Sequence, residues 1–144
     1  MKKLVSVLVV GLVLVGWGGM AFGAGEGVVT ATSMSRQFTI TNGGAPVTLP
    51  RDTDGVDISK IARGDKFAIF YTITGSGTMK LEYLVSSDGT NFMEPTSAPD
   101  IGTTISAGSD AIAFTPVAAP FLQIKVSEDG GADLGVSWID LVTK

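Results

Sequence analysis

The side chains that could do chemistry in this sequence are limited by two absences. The chain of 144 residues contains no histidine and no cysteine. A serine–histidine pair, a cysteine nucleophile and an imidazole or thiolate metal ligand are therefore excluded. Catalysis would have to use carboxylate pairs, lysine, tyrosine or hydroxyl groups, and no spacing shows two acids placed to face each other across a cleft. We therefore expect a non-catalytic protein. A small carboxylate-dependent hydrolase ranks third among our functional hypotheses, after the two non-catalytic ones given below.

Three carboxylates lie close together around a glycine, at Asp52, Asp54 and Asp57. A calcium loop needs hard oxygen ligands at alternate positions, and Asp65 could add a further ligand. An EF-hand loop starting at Asp52 would need a bidentate glutamate at its twelfth position, where this chain has Arg63. The pattern indicates either a calcium site of another kind or a solvated acidic turn. No other cofactor is predicted.

A second polar motif spans residues 86–92, which read Ser-Ser-Asp-Gly-Thr-Asn-Phe. It resembles the Asp-box hairpin of sialidase-like propellers, in which serine and aspartate hydrogen-bond the backbone of an Asp-Gly turn. That motif has one more residue between Asp and Gly, usually ends in Trp and recurs along a chain, whereas this sequence has a single copy. The resemblance implies a stable hairpin, because Asp and Gly suit tight turns. It carries over no activity.

Exposed aromatic residues beside acids and amides are the feature that carbohydrate-binding sandwiches use to hold sugar rings. Phe92 lies on a loop next to Asn91 and Asp88, so these three residues are the best candidates for a glycan site. The aromatic residues expected in the core or in an apolar strand are Tyr71, Tyr83 and Trp138. A carbohydrate-binding module is accordingly the alternative to a purely structural role.

The first 23 residues have the pattern of an export signal. Lys2 and Lys3 precede an almost wholly aliphatic run over residues 4–15, and Ala21 and Gly23 are small residues at the positions that a signal peptidase reads. We predict cleavage after Gly23. A membrane anchor is the alternative, but glycines interrupt the apolar run well before the ~20 residues that a spanning helix needs. A secreted protein, extracellular or periplasmic, is therefore expected, and without a cysteine it carries no lipid.

Cleavage would leave 121 residues, enough for one domain with its own core. The remaining eight basic and fourteen acidic residues give a net charge of −6, and the basic residues are scattered. Such a field repels phosphate backbones and anionic lipid. Nucleic acid is therefore excluded as a partner, and so is a membrane surface after signal cleavage.

The rest of the chain shows alternation of apolar and polar residues with period two, punctuated by Gly, Pro, Asn and Asp. This pattern is typical of antiparallel strands, and it shows no helix. Residues 24–35 are predicted to form a flexible arm and residues 36–144 a single antiparallel β-sandwich, of jelly-roll or immunoglobulin-like type. The predicted strands are 36–42, 56–59, 66–74, 78–86, 110–115, 121–127 and 134–143.

The clearest unit is a hairpin over residues 66–86, because two alternating runs flank a Gly-Ser-Gly link at residues 75–77. The link would pair Ile73 with Met79 and put one apolar face in the core. The residues of the first arm on that face are Phe67, Ile69, Tyr71 and Ile73. Phe70 and Leu84 would lie on the opposite face as diagonal neighbours, which makes them a candidate interaction surface.

A second ribbon is predicted from residues 121–127 and 134–143. In the last strand Leu134 and Val136 share one phase, whereas Ile139 and Leu141 take the other. Either a bulge near Trp138 resets the phase, or the strand is central and buried on both faces.

These features together predict a secreted, non-catalytic, structural or adhesive β-sandwich module, a subunit of a cell-surface or extracellular assembly. Its expected partners are other protein subunits or extracellular glycans. The arm at residues 24–35 contains Val28 and Val29, so it could add to the sheet edge of a neighbour or remain disordered.

Overall fold

The computed structural model describes residues 30–51, 54–60, 66–96 and 100–143. The predicted signal peptide lies outside these ranges, and so do residues 24–29 of the predicted arm. Within them the chain forms nine strands and no helix, so no helix of this part could span a bilayer. The strands are β1 (Thr30–Ile40), β2 (Val47–Leu49), β3 (Val56–Asp57), β4 (Phe67–Gly75), β5 (Met79–Ser86), β6 (Gly102–Ile105), β7 (Gly108–Phe114), β8 (Phe121–Glu128) and β9 (Leu134–Thr143).

The strands form two antiparallel sheets. Sheet I has the order β1-β9-β4-β7, and sheet II has the order β2-β8-β5-β6, with β3 also paired to β8. The predicted all-β class with two antiparallel sheets is confirmed. β1 begins at Thr30, so residues 30–35 of the predicted arm belong to a strand that pairs with β9 in the chain's own sheet.

The core lies between the two sheets and is built from alternate residues of their strands. The inward residues of β4 are the predicted ones, and they face the inward residues of β5 and β8 across the core. The buried apolar residues of these three strands are Phe67, Ile69, Tyr71, Ile73, Met79, Leu81, Tyr83, Leu122, Ile124 and Val126.

The predicted hairpin between β4 and β5 was wrong. β4 pairs with β7 and β9 in sheet I, whereas β5 pairs with β6 and β8 in sheet II. The Gly-Ser-Gly link therefore carries the chain from one sheet to the other. The second predicted ribbon was wrong in the same way, because β8 belongs to sheet II and β9 to sheet I, so the link between them also crosses the core. The two links are in contact, since the Gly77 N–H donates a hydrogen bond to the Asp133 carbonyl oxygen at 3.1 Å. The apolar face of a strand can be buried by a strand of the opposite sheet as well as by one beside it in the same sheet. Alternation alone therefore does not show which of the two arrangements forms.

This correction also separates the two residues of the predicted interaction surface. Phe70 lies on the outer face of sheet I, and Leu84 lies on the outer face of sheet II. They are on opposite sides of the sandwich and cannot form one patch.

The last strand, β9, has the bulge that its phase change indicates, and its outward residues are half-buried rather than buried. It is central in sheet I, between β1 and β4. It also carries a bulge, because Val136 pairs with Ile73 and Trp138 pairs with Thr72, which leaves Ser137 as the extra residue. The bulge turns Trp138 to the outer face while the next residue, Ile139, remains fully buried.

Candidate functional site

The predicted turn at residues 86–92 is present and is held by its own side chains. The buried Ser86 Oγ donates to Asp88 Oδ1 at 2.8 Å and accepts the N–H of Gly89 at 3.0 Å. Asp88 Oδ1 also accepts the N–H groups of Thr90 and Asn91, both at 2.9 Å. These backbone donors, with the Asn91 amide and the Ser86 hydroxyl, hold the pKa of Asp88 well below its usual range.

The three residues predicted to hold a glycan lie together in this turn, but their polar groups bind each other. The Asn91 Nδ2 donates to Asp88 Oδ2 at 2.7 Å. The Phe92 ring is half-buried against the β3 loop, where a Cβ on Gly55 would lie 2.6 Å from its Cζ. The segment then returns to the sheet through backbone hydrogen bonds between Val85 and Met93. The observed contacts of these three residues are those that hold the turn together.

Of the predicted calcium ligands, the structure describes Asp54 and Asp57, whereas Asp52 and Asp65 lie outside the described residues. Asp57 Oδ1 accepts the N–H of Ser59 at 2.9 Å, and hydrogen bonds from Ser59 lower the pKa of Asp57. Both described carboxylates are exposed. Asp57 is therefore engaged in a local turn.

A charged network lies on the outer face of sheet II. Its centre is Glu82, whose side chain is only 7% exposed, and which accepts Lys80 Nζ at 2.8 Å and Lys125 Nζ at 2.9 Å. Lys80 also contacts Asp100 at 3.3 Å, and Lys125 contacts Glu94 at 3.4 Å. Three carboxylates and two ammonium groups thus alternate along this face.

The pKa shifts in this network follow from its contacts. Burial alone would raise the pKa of Glu82, but hydrogen bonds from Lys80 and Lys125 outweigh burial and lower it. The pKa of each lysine is raised, primarily by its hydrogen bond to Glu82. All three groups are therefore ionised at neutral pH.

This network is the described cluster closest to a carboxylate catalytic or metal site. Oxygen atoms of Glu82, Glu94 and Asp100 lie within 4.8 Å of one another. A pair of catalytic acids needs one carboxyl group with a raised pKa, whereas the central one here is lowered. Two ammonium groups also occupy the space that a cation would take. The sequence did not reveal the cluster, because Lys125, Glu94 and Asp100 are distant from Glu82 in the chain and reach it only in the folded sheet, where Lys125 of β8 pairs with Glu82 of β5.

The outer face of sheet I has a different character. Phe70 is 40% exposed and lies between Asp140 of β9 and Ala111 of β7. Trp138 is half-buried one row away. The other outward residues of the rows around Phe70 are small or uncharged: Ala31, Ser33, Ala68, Thr72, Ser109, Ala113 and Val142.

One charged pair interrupts this face. Arg36 Nη2 lies 3.9 Å from Asp140 Oδ1, which is too long for a hydrogen bond. That carboxylate oxygen is buried and has no hydrogen-bond partner among the described residues. The Arg36 side chain is 67% exposed, so its guanidinium remains open to other partners.

Comparison with known proteins assigns no family. No family model and no curated protein matches the chain. Among solved structures, the chain is similar to the one titled "Structure of infectious bursal disease virus Gx strain", with 14% identity and a TM-score of 0.44 over 81% of this chain and 32% of that chain. It is also similar to Clostridium thermocellum endo-1,4-β-D-xylanase 10B, solved as CBM22-1 and GH10 modules with xylohexaose, with 12% identity and a TM-score of 0.37.

That second match covers 77% of this chain and 25% of the other. The chain thus spans a third or less of the length of both structures. At these identities and TM-scores neither similarity assigns an activity or a partner.

Proposed function

We propose that this chain is a secreted, non-catalytic structural or adhesive β-sandwich module that assembles with further copies of itself through the outer face of sheet I. The observation that carries this proposal is the difference between the two outer faces. One holds a network of five charged side chains, whereas the other holds an exposed Phe70 among small residues and a single charged pair, Arg36 and Asp140.

The energetics of burial favour sheet I as the contact. Covering the Glu82 network would remove ionised groups from water, and that desolvation opposes association. Covering Phe70 and the alanines around it removes apolar surface from water, which favours association by roughly 25 cal/mol per Å². Exposed apolar patches on small proteins commonly mark interaction surfaces.

A second copy is the partner that the charges of this face fit. Arg36 and Asp140 have opposite signs, and the Arg36 side chain is 67% exposed. In a two-fold pair with the sheets packed face to face, the exposed Arg36 of each copy would face the surface that carries the partner's Asp140. A symmetric contact of this kind is self-complementary.

The test is the oligomeric state of the protein, expressed with its native N-terminus and recovered after export. We expect light scattering after size-exclusion chromatography to show a dimer or larger species. N-terminal sequencing of the same sample checks for cleavage after Gly23. Phe70→Ser should shift the protein to monomer. Leu84→Ser removes an apolar group from the opposite face and is the matched control.

A charge exchange distinguishes the specific contact from general stickiness. Arg36→Asp alone should weaken association, and the double variant Arg36→Asp with Asp140→Arg should restore it. A protein that stays monomeric over all accessible concentrations would overturn the proposal. Association that responds to Leu84→Ser and ignores Phe70→Ser would do the same.

A further inference from the structure

A cleft of about 380 Å³ opens beside the turn that joins β6 to β7. β6 is an edge strand of sheet II and β7 is an edge strand of sheet I, so the cleft lies between the edges of the two sheets at one side of the sandwich. Its volume is within the range of about 300–1,000 Å³ common for small-molecule sites. The lining residues that bear on its chemistry are Tyr71, Thr104, Ile105, Ser106, Asp110 and Ile112.

Tyr71 is the unusual member of this lining. Only 5% of the residue is exposed, but its hydroxyl is not among the buried polar atoms without a partner. The hydroxyl therefore opens on the cleft, where it makes no hydrogen bond to any residue that the structure describes. A phenol oxygen normally has a hydrogen-bond partner, which is either a protein group or water. Tyr83, which is 4% exposed, has one, because its hydroxyl accepts the N–H of Val117 at 3.3 Å. A hydroxyl that opens on a cleft and has no protein partner is available to bind a ligand.

Asp110 lies directly opposite Tyr71 across the β4–β7 pair. Its Oδ1 accepts the N–H of Ala111 at 2.8 Å, which fixes the carboxylate and leaves its other oxygen available. Burial, and then the negative charge of Asp110, raise the pKa of Tyr71. The phenol is therefore a protonated donor beside a carboxylate acceptor.

The remaining lining narrows the class of ligand. No lysine or arginine of the described residues lines the cleft, so an anion would meet only the charge of Asp110. A single carboxylate is far short of the six to eight oxygen ligands that calcium takes. Ser106 and Thr104 add hydroxyl groups at the rim, and Ile105 and Ile112 add apolar walls. This mixture fits a neutral molecule that has both hydroxyl groups and C–H faces.

We infer that the β6–β7 cleft binds a sugar residue, with the Tyr71 hydroxyl donating a hydrogen bond to it and the Asp110 carboxylate accepting one from it. The Ile105 and Ile112 side chains pack against the C–H groups of the ring. This site is distinct from the turn that holds Asp88. It is also independent of the assembly proposed above, because Phe70 points to the outer face of sheet I.

The test begins with a glycan array probed by the exported protein, followed by calorimetry with the sugar that is retained best. Tyr71→Phe removes only the hydroxyl, and Asp110→Asn removes the charge and keeps an oxygen for the Ala111 N–H. Each should weaken binding by about tenfold, the loss expected for one hydrogen bond of a ligand to a charged or buried group. Tyr83→Phe removes a phenol outside the cleft and should bind as the wild type does.

Stability measurements give a second readout that needs no sugar. Tyr71→Phe should leave the urea midpoint unchanged or raise it, since no hydrogen bond is lost, whereas Tyr83→Phe should lower it. Retention of no sugar on the array would overturn the inference. Equal affinity of wild type and Tyr71→Phe would also overturn it, and so would binding that depends on Phe70. Tyr71→Phe should leave the oligomeric state unchanged, so failure here is separable from failure of the assembly proposal.

Discussion

At the scale of single residues, the turn at 86–92 shows how a hydroxyl can organise a segment. The Ser86 hydroxyl is buried and links the carboxylate of Asp88 to the backbone N–H of Gly89. Gly89 has a φ of 76°, a conformation that glycine adopts at little cost. The turn is therefore determined by residues within three positions of each other, which is why its motif could be recognised in the sequence.

Replacing Ser86 by alanine should be costly for this reason. The buried N–H of Gly89 would lose its acceptor, and an unsatisfied buried donor costs about 1–3 kcal/mol of unfolding free energy. Urea denaturation of Ser86→Ala measures the loss. Ser87→Ala, at the exposed neighbouring position, should stay within about 0.5 kcal/mol of the wild type. Equal stabilities for the two variants would show that the hydroxyl does not hold the turn.

At the scale of elements, the two links that cross between the sheets support each other. The β4–β5 link and the β8–β9 link lie side by side, joined by the hydrogen bond from Gly77 to Asp133. Gly75 has a φ of 94°, and a Cβ there would lie 2.7 Å from the Asp133 carbonyl oxygen. The glycines that suggested a hairpin turn are needed instead for close approach between two links.

Gly77→Ala should therefore destabilise the fold. A Cβ at this position would overlap the Ala132 carbonyl oxygen, which is backbone and cannot swing away. Such overpacking costs about 1–3 kcal/mol, which thermal unfolding can detect. The exposed Ser76→Ala is the control from the same link. If Gly77→Ala is as stable as Ser76→Ala, the two links do not pack as described.

At the scale of the whole molecule, charge is distributed unevenly between the two faces of the sandwich. The lysines and carboxylates around Glu82 concentrate on sheet II. The rows around Phe70 on sheet I carry one loose pair, Arg36 and Asp140. The outer face of sheet II is therefore suited to solvent, and the outer face of sheet I is suited to contact with another protein surface.

The Glu82 network should make stability depend on acid pH. Because the folded-state pKa of Glu82 is below its ordinary value of 4.5, its contribution is complete above that value and is lost as the pH falls through the lowered pKa. Glu82→Gln should therefore be less stable than the wild type at pH 7, and the gap should shrink towards pH 3. Urea midpoints across this range measure it, with Asp129→Asn as an exposed control outside the network. A gap that is constant with pH would contradict the prediction.

The sequence alone determined which side-chain chemistry is possible, which residues form strands with one buried face, and where one local turn lies. The absence of histidine and cysteine removes whole classes of site whatever the fold. Period-two alternation predicted the β class and the inward residues of β4, from Phe67 to Ile73, because a strand buries one face in any sheet. The turn around Asp88 was also predictable, since its hydrogen bonds are local.

Only the tertiary structure decided which strands are neighbours. It placed β4 and β5 in different sheets, which moved Phe70 and Leu84 to opposite faces. It brought Lys125 to Glu82, and it left Tyr71 beside Asp110 in a cleft between two sheet edges. The physical reason is that the apolar face of a strand is buried to the same extent whether the next strand pairs with it in the same sheet or packs against it from the opposite sheet. Contacts between residues distant in the chain decide which of these two arrangements forms.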